Sequence, residues 1–292
     1  MSHQANRILN LPHTPLSYIE LLKPKETSLI CLISMCAAIT AAGGNPEVGA
    51  LLVTLAAIAL GSGGCNGLTN YLDREVDARM ERTKHRPLPA KMIDPPKKAL
   101  WWSLSLIVIG LILAWSIHPF CFIAGLLGST ASAVWRKRVV CPLLGAIASS
   151  APIAIGWFAF SPQVSPSLIS LCGLIWVWVP LHVWSVMIAH RDDYLRGGIS
   201  YFPLSWENKD VVKVLLSLSL LLYATSIILY FVADLGSLYV GVASGIGLLM
   251  IGANVNLVVS PCSLNAFRVY RLTAFPYLGI IFLIICVDVL LT

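Results

Sequence analysis

One short segment of the chain places three oxygen-bearing side chains at helical spacing. Asn70, Asp73 and Asp77 occupy positions i, i+3 and i+7, so they share one face if the segment is helical. Oxygen ligands of this type suit Mg²⁺, which typically takes one or two carboxylates, several waters and substrate phosphates. The spacing therefore predicts a site for Mg²⁺ and a phosphorylated substrate.

Basic residues lie within and after this segment. Arginine and lysine side chains bind diphosphate oxygens, and Pro87 and Pro89 end any helix beyond them. A solvated loop held together by i, i+4 charge pairs is the alternative interpretation. The small residues 61–64 favour the first interpretation, because they let helices approach closely just before the acidic stripe. The predicted phosphate ligands are Arg74, Arg82, Lys84 and Arg86.

A second acidic pair, Asp192 and Asp193, follows a later apolar segment and has an arginine on either side. Two such clusters at one end of a helical bundle could hold a binuclear metal–diphosphate site. We therefore expect the metal ligands and the catalytic residues to be the same five: Asn70, Asp73, Asp77, Asp192 and Asp193.

Further candidates for substrate binding lie close to these clusters in the sequence. His182 is an ionisable residue inside an apolar segment, where such residues are commonly functional; a hydrogen bond between packed helices explains it equally well. Trp184 could bind substrate or belong to the aromatic belt at a membrane interface. The added candidates are Lys137, Arg138, His182, Trp184, Arg191 and Tyr194.

The segments that carry these residues are long and apolar. Of 292 residues, 57% are hydrophobic and 12% are charged, whereas soluble domains carry about 25% charged residues. A bilayer core about 30 Å thick needs about 20 apolar residues per helix, and backbone polar groups within it must bond internally. Continuous apolar runs, without the alternation of a β-barrel, predict nine transmembrane helices over 27–43, 48–68, 99–117, 119–135, 142–160, 167–188, 212–233, 236–258 and 271–291.

The charges divide cleanly between the two sides of this arrangement. All 20 Lys and Arg residues fall before the first span, in alternate loops or, for Lys213 and Arg271, in the first two residues of the span that follows such a loop, and the opposite loops hold none. Cytoplasmic loops of membrane proteins carry the positive charge, so we expect a cytoplasmic N-terminus and an outside C-terminus. The net charge of +6 follows from that orientation and suits anionic lipid head groups, so it needs no nucleic acid partner.

The predicted fold class is an all-α integral membrane protein with nine transmembrane helices in a single bundle. We expect residues 1–26 to form a cytoplasmic N-terminal segment and residues 27–292 to form one membrane domain. The long inner loops, about 69–98 and 189–211, contain nine of the 14 acidic residues. Charge beside a membrane is costly, so we expect the functional site on this face.

Four motifs together resemble the UbiA superfamily of intramembrane prenyltransferases and, within it, the heme O synthases. They are the Asn-x-x-Asp-x-x-x-Asp run at 70–77, the Arg-Thr-x-x-Arg-Pro-Leu run at 82–88, the Pro-x-His-x-Trp run at 180–184 and the Asp-Asp-Tyr-x-x-x-Gly run at 192–198. Leu181 and Val183 replace a Pro and a Phe that are usual in the family. These departures from the family pattern affect the part that would bind the acceptor more than the part that would bind the diphosphate.

This resemblance implies a Mg²⁺-dependent farnesyl transferase of the EC 2.5.1 type. Farnesyl diphosphate would be the donor and a vinyl group of heme B the acceptor, and addition of water would give heme O and diphosphate for heme A and terminal oxidase biogenesis. Heme B would be a substrate rather than a cofactor. The resemblance also implies a multi-pass protein of the prokaryotic plasma membrane in preference to the mitochondrial inner membrane, with heme A synthase or oxidase assembly factors as partners.

Three other functions fit parts of the pattern. A UbiA-type enzyme with a quinone precursor or a glycerol-phosphate lipid as acceptor is the nearest, and the motifs at 82–88 and 180–184 argue against it. A transporter would carry charged or broken helices near the bilayer midplane, whereas these charges gather at one face. An assembly factor with a degenerate site is disfavoured, because the five predicted metal ligands are all present.

Overall fold

The structure is a computed structural model that describes residues 15–137 and 142–291. The regular structure of this part of the chain is helical, as expected where backbone polar groups must bond within their own segment. The helices are α1 (Pro15–Leu21), α2 (Pro24–Ala41), α3 (Val48–Asp77), α4 (Lys97–Ile117), α5 (Pro119–Val134), α6 (Pro142–Phe158), α7 (Pro166–Ala189), α8 (Arg191–Arg196), α9 (Asn208–Val232), α10 (Ser237–Val259), α11 (Ser263–Ala274) and α12 (Pro276–Leu291).

Six stretches of the described chain are long and apolar enough to cross a membrane. They are α3, α4, α7, α9, α10 and the stretch Ser263–Leu291, which comprises α11 and α12. Helices α5 and α6 are apolar but shorter. Large apolar side chains such as Ile112, Trp115 and Leu249 point outward and are about 60% exposed, as lipid-facing residues would be. The chain is therefore an integral multi-pass membrane protein.

The last predicted span, 271–291, starts at the wrong residue. Position 271 falls inside α11, and the final apolar helix begins at Pro276. Proline has no N–H group and disfavours helical geometry in the residue before it, so the chain breaks at Phe275 and restarts. The amphipathic helix α11, which carries Arg268 and Arg271, was not predicted.

Helix α3 continues well beyond the apolar stretch predicted at 48–68. It begins after Glu47, whose carboxylate accepts the backbone N–H of Gly49 at 2.8 Å as an N-cap, and it ends at Asp77. Its last two turns carry the acidic motif. The helical geometry assumed for this motif is therefore confirmed.

Helices α3 and α4 approach each other closely through glycines. A Cβ atom on Gly64 would lie 2.7 Å from the carbonyl oxygen of Ser103. A Cβ atom on Gly110 would lie 2.8 Å from the backbone nitrogen of Gly61. Any larger residue would push the helices apart, which is how small residues act at membrane helix interfaces.

The main hydrophobic core forms where α2, α6, α7 and α9–α12 meet. Tyr239, Tyr277 and Phe282 are fully buried there. Gly156 of α6 lies directly against the carbonyl oxygen of Ser34 in α2, so these helices also make backbone contact. This packing holds α7, the helix that leads into the second acidic motif on α8.

Candidate active site

The acidic motif of α3 forms one buried face at the end of that helix. Asn70, Asp73 and Asp77 are 5%, 9% and 0% exposed. The amide nitrogen of Asn70 donates a hydrogen bond of 2.8 Å to the carbonyl oxygen of Leu21 at the end of α1. The N-terminal helix thereby orients the amide, whose oxygen accepts from Arg86.

Asp77 is held between two cations. A guanidinium nitrogen of Arg86 lies 3.0 Å from one carboxylate oxygen of Asp77 and 3.3 Å from the amide oxygen of Asn70. The ammonium of Lys137 contacts the other carboxylate oxygen. A buried carboxylate is costly unless it is paired, and here each of its oxygens has a cationic partner.

Lys137 also joins Asp73 to this group. Its backbone N–H donates to a carboxylate oxygen of Asp73 at 3.3 Å, and its carbonyl oxygen accepts from the hydroxyl of Tyr201. Burial lowers the pKa of the Lys137 ammonium, and the charge of Asp77 opposes that shift. We call the group formed by Asn70, Asp73, Asp77, Arg86 and Lys137 the carboxylate–cation cluster.

The loop after α3 is compact and does not match the solvated-loop interpretation. The Thr83 side chain is fully buried, and its hydroxyl donates to the carbonyl oxygen of Asp77 at 3.1 Å. Further along, Leu88 and Ile93 pack against Leu21 in a small core. Because of this packing, the loop folds back and Arg86 lies beside the end of α3.

The two members of the second acidic pair have different environments. Asp193 is 6% exposed and accepts the backbone N–H groups of Glu81 at 2.6 Å and Arg82 at 3.2 Å, with Arg196 at 3.1 Å. Burial alone would raise the pKa of Asp193, but these hydrogen bonds together hold it below its usual range. Asp192 is exposed.

Tyr194 connects α8 to the basic loop. Its hydroxyl accepts a hydrogen bond of 3.4 Å from the Arg82 side chain, whose guanidinium carbon lies 6.0 Å from the centre of the tyrosine ring. Burial raises the pKa of Tyr194, and the nearby Arg82 charge opposes this shift. Arg82 is therefore directed toward the region between the two acidic motifs.

Three predicted substrate ligands point elsewhere in this structure. Arg74 lies over the ring of Tyr71, 4.5 Å from its centre, and pairs with Glu75. Lys84 pairs with Glu81 at 2.5 Å, and Arg191 donates to the carbonyl oxygen of Leu204 at 2.6 Å. Arg138 lies outside the described residues.

Across the described residues, no group of three or more His, Cys, Asp and Glu side chains is close enough to hold one metal ion. The five predicted metal ligands therefore do not converge on a single point here. Asn70, Asp73 and Asp77 do share a face, and the Asp77 carboxylate already holds two cationic groups. The donor set of that face, an amide oxygen and carboxylate oxygens, suits Mg²⁺.

A cavity of about 570 Å³ lies between the helices, within the usual range for a small-molecule site. Its polar end is lined by Lys23, by Asn66 one turn before Asn70, and by Trp135. The rest of the lining is mainly apolar and comes from α2 to α7, α11 and α12. The side chains around Asp77 are not among those that line this space. They adjoin it through Lys23, whose pKa responds to the charges of Arg86 and Asp77.

Lys23 is a further candidate for the site, and the sequence analysis did not include it. Its backbone has φ 51° and ψ 68°, a left-handed conformation that residues other than glycine adopt rarely. Thr27 and Asn66 both donate to the carbonyl oxygen of the preceding Leu22, at 2.9 and 3.3 Å, and so hold this turn. Burial, followed by the nearby charge of Arg86, lowers the pKa of Lys23 to about 8.

The two aromatic candidates of α7 separate in the structure. His182 lines the cavity, and its ring stacks on Trp178 with centroids 4.6 Å apart. Trp184 packs edge-on against Phe202 at 4.6 Å, next to the loop that follows α8. His182 is therefore placed to contact a ligand, and Trp184 is placed to support the loop.

The fold and the site together define an integral membrane protein with a cationic and acidic cluster beside an apolar cavity. A sequence profile described as the UbiA prenyltransferase family matches residues 29–279, most of the chain. The chain belongs to the UbiA prenyltransferase family.

Relatives with assigned names agree with this membership. A protoheme IX farnesyltransferase of Desulforudis audaxviator is 32% identical, over 94% of this chain and 89% of its own length. A protein of the same name from Korarchaeum cryptofilum is 30% identical over 92% of both chains.

Solved structures share the fold at low sequence identity. A digeranylgeranylglyceryl phosphate synthase superposes with a TM-score of 0.77 at 16% identity, covering 95% of this chain and 99% of its own. A UbiA homologue from Archaeoglobus fulgidus, described as bound to GPP and Mg²⁺, gives a TM-score of 0.64 at 16% identity, covering 92% and 99%.

Proposed function

We propose that this protein transfers a farnesyl group from farnesyl diphosphate to a vinyl group of heme B. Water adds in the same reaction, and the products are heme O and diphosphate, for use in heme A and terminal oxidase biogenesis. The observation that carries the proposal is the carboxylate–cation cluster beside an apolar cavity, with Lys23 lining the cavity within reach of the charges of the cluster. The names of the relatives, protoheme IX farnesyltransferase, support the donor and the acceptor.

The residues that would hold Mg²⁺ are Asn70, Asp73 and Asp77, with Asp192 completing the set from α8. Asp193 is left out of the set, because backbone N–H groups of the loop after α3 occupy its oxygens. The groups on Asp77 are side chains, Arg86 and Lys137, which can turn to the diphosphate when Mg²⁺ binds. When bound, Mg²⁺ would neutralise negative charge on the diphosphate. The Archaeoglobus fulgidus homologue described with GPP and Mg²⁺ supports the choice of metal.

The diphosphate oxygens are bound by cationic side chains of the chain itself. Arg86 and Lys137 lie on the carboxylates at the end of α3, Arg82 extends from the loop, and Lys23 lines the cavity. As the allylic C–O bond breaks, negative charge grows on the leaving diphosphate. Fixed cations aimed at that charge stabilise the transition state more than the ground state.

The apolar cavity protects the farnesyl cation. This cation would react with water, so its chain must lie in a dry site. Ile30, Ile58, Ile107 and Leu111 line the space beyond the polar end and offer the chain apolar contact. The vinyl π electrons of the acceptor then form the new C–C bond to the farnesyl C1. Water captures the resulting cation and releases a proton, which gives the hydroxyethylfarnesyl group.

The membrane arrangement belongs to the same proposal. Nine helices span the prokaryotic plasma membrane, with the N-terminus in the cytoplasm and the C-terminus outside. The support is that all 20 Lys and Arg residues lie before the first span, in alternate loops or at the start of the span that follows such a loop. Green fluorescent protein should fluoresce when fused to the N-terminus and stay dark when exported at the C-terminus. Fluorescence from both fusions would contradict an odd number of spans.

The acceptor is tested by competition among substrates. The purified protein, with Mg²⁺ and farnesyl diphosphate, is given heme B, a quinone precursor and a glycerol-phosphate lipid, and the products are identified by mass spectrometry. Heme O as the product is the expected result. Prenylation of either other acceptor without heme O would keep the prenyltransferase assignment and overturn the heme assignment.

A further inference from the structure

Three rings form one wall of the cavity at the junction of α7 and α11. The imidazole of His182 stacks on the indole of Trp178 with 12° between the ring planes. The ring of Tyr270 lies 5.3 Å from the imidazole on a tilted approach. All three residues line the cavity, so the imidazole is held between neighbours and has little freedom to turn.

Thr273 of α11 holds two of these rings from behind. Its side chain is fully buried. Its carbonyl oxygen accepts the indole N–H of Trp178 at 2.9 Å, and its hydroxyl oxygen lies 3.0 Å from Nδ1 of His182. Because α11 ends one residue later, this carbonyl belongs to the last turn, where carbonyl groups lack helical partners. The tryptophan supplies the missing donor.

The hydroxyl of Thr273 determines which imidazole nitrogen carries the proton. That hydroxyl has one hydrogen, and it lies 2.8 Å from the carbonyl oxygen of Tyr270, which can only accept. Threonine hydroxyls in helices commonly bond to the carbonyl of the preceding turn in this way. With its hydrogen on that carbonyl, the oxygen of Thr273 is left to accept, and Nδ1 of His182 is the donor in this arrangement. A neutral imidazole with a proton on Nδ1 has its lone pair on Nε2.

A histidine that donates through one nitrogen and offers a lone pair on the other has the arrangement of a metal ligand. The outer hydrogen bond fixes the tautomer and the ring orientation of such a ligand. Since Nδ1 is bonded to Thr273, Nε2 is the nitrogen available to a molecule in the cavity. Trp178 and Tyr270 beside it add aromatic, largely apolar surface to the part of the cavity that a large ligand would enter.

We propose that Nε2 of His182 is the axial ligand of the acceptor's heme iron, and that Thr273 is the positioning residue that fixes this tautomer. The inference rests on the proposed function, because it takes heme B as the acceptor. It goes beyond that function by assigning how the porphyrin is held. Ligation would set the porphyrin plane across the cavity wall, so that a vinyl group at its edge can face the farnesyl C1.

The test is a spectroscopic titration of the purified, full-length protein with heme B, without prenyl donor. Wild type is expected to shift the Soret band to that of an imidazole-ligated heme. His182→Ala should lose this spectrum and regain it with added imidazole. The exposed His85 provides the matched control, and His85→Ala should behave as wild type.

Two Thr273 variants distinguish a role in positioning His182 from a general loss of structure. Thr273→Ser keeps the hydroxyl and should bind heme as wild type does. Thr273→Val keeps the shape but removes the acceptor for Nδ1, and should weaken heme binding about 10-fold or more, as loss of an outer-shell partner typically does. Equal heme affinity in the two variants would overturn the role of Thr273.

The remaining outcomes distinguish this inference from the proposed function. An unchanged Soret spectrum in His182→Ala, with heme O still formed by wild type, would overturn the iron ligation alone. Loss of heme O formation in His182→Ala with an unchanged heme spectrum would assign His182 to proton transfer and also overturn it. Absence of both heme binding and heme O in wild type would overturn the proposed function.

Discussion

A carboxylate oxygen of Asp193 in α8 accepts the backbone N–H of Glu81 at 2.6 Å, which joins the second acidic motif to the loop that follows the first. A second hydrogen bond, from the N–H of Arg82, strengthens this connection. The two motifs are therefore parts of one structural unit, and α8 determines where the basic loop lies over the end of α3.

Substitution of Asp193 is expected to lower the stability of the protein, and substitution of Asp192 is expected to lower its activity. Asp193→Ala removes a buried acceptor of several hydrogen bonds, so it should cost about 1–3 kcal/mol of stability and lower the Tm in detergent. Asp192→Ala changes an exposed residue and should leave the Tm unchanged, with its effect confined to activity at limiting Mg²⁺. Equal Tm values for the two variants would contradict the structural role of Asp193.

Arg86 and Lys84 provide a matched pair within one loop. Arg86 contacts Asp77 and Asn70 in the site, whereas Lys84 pairs with the exposed Glu81. Arg86→Ala should raise the KM for farnesyl diphosphate about 10-fold or more, as loss of a charge-assisted contact implies. Lys84→Ala should change it little, since surface pairs contribute about 0–1 kcal/mol. Steady-state kinetics with varied farnesyl diphosphate measure the KM of both variants. A larger increase in Lys84→Ala than in Arg86→Ala would contradict the site.

The pH profile should report Lys23. Its pKa is lowered from 10.5 to about 8, so the ammonium loses its proton, and its positive charge, as the pH rises through that value. Binding of an anionic diphosphate then weakens, and kcat/KM, which reports groups of the free enzyme, should fall above about pH 8. In Lys23→Arg the guanidinium stays charged, so this inflection should disappear. An identical profile in wild type and Lys23→Arg would exclude Lys23 from the diphosphate site.

Removal of divalent cations tests the oxygen donors of α3. EDTA should abolish turnover, and added Mg²⁺ should restore it, because Asn70, Asp73 and Asp77 are proposed to bind the ion. The same treatment should leave the Tm unchanged, since Arg86 and Lys137 already satisfy Asp77 without metal. Full activity in EDTA would contradict the metal assignment.

Much of the helix arrangement was predictable from local sequence. The continuation of α3 through Asp77 follows from its i, i+3, i+7 pattern, and the contact with α4 follows from its small residues. The break at Phe275 was missed, because apolar residues lie on both sides of it. A hydropathy average does not detect the helix break that a proline causes.

The parts of the site that were missed depend on tertiary contacts. The position of Asp193 against Glu81 brings together residues that are 112 positions apart, and no spacing rule relates them. Thr273 resembles any polar residue of a helix until its distance to His182 is known. The contacts of Arg74 could not be predicted for a related reason, since it belongs to the motif in sequence and its side chain lies on Tyr71 and Glu75.

The most direct test of the central claim counts both products of one reaction. The reconstituted protein is incubated with farnesyl diphosphate, heme B and Mg²⁺, and diphosphate and heme O are quantified together in wild type, Asp77→Asn and Glu75→Gln. Glu75 lies on the same helix with its side chain 70% exposed, so it is the matched control.

We expect wild type and Glu75→Gln to form the two products in equal amounts, and Asp77→Asn to lose both by about 100-fold or more, as loss of an electrostatic catalytic group typically does. Full activity in Asp77→Asn, or diphosphate release by wild type without heme O, would contradict the account.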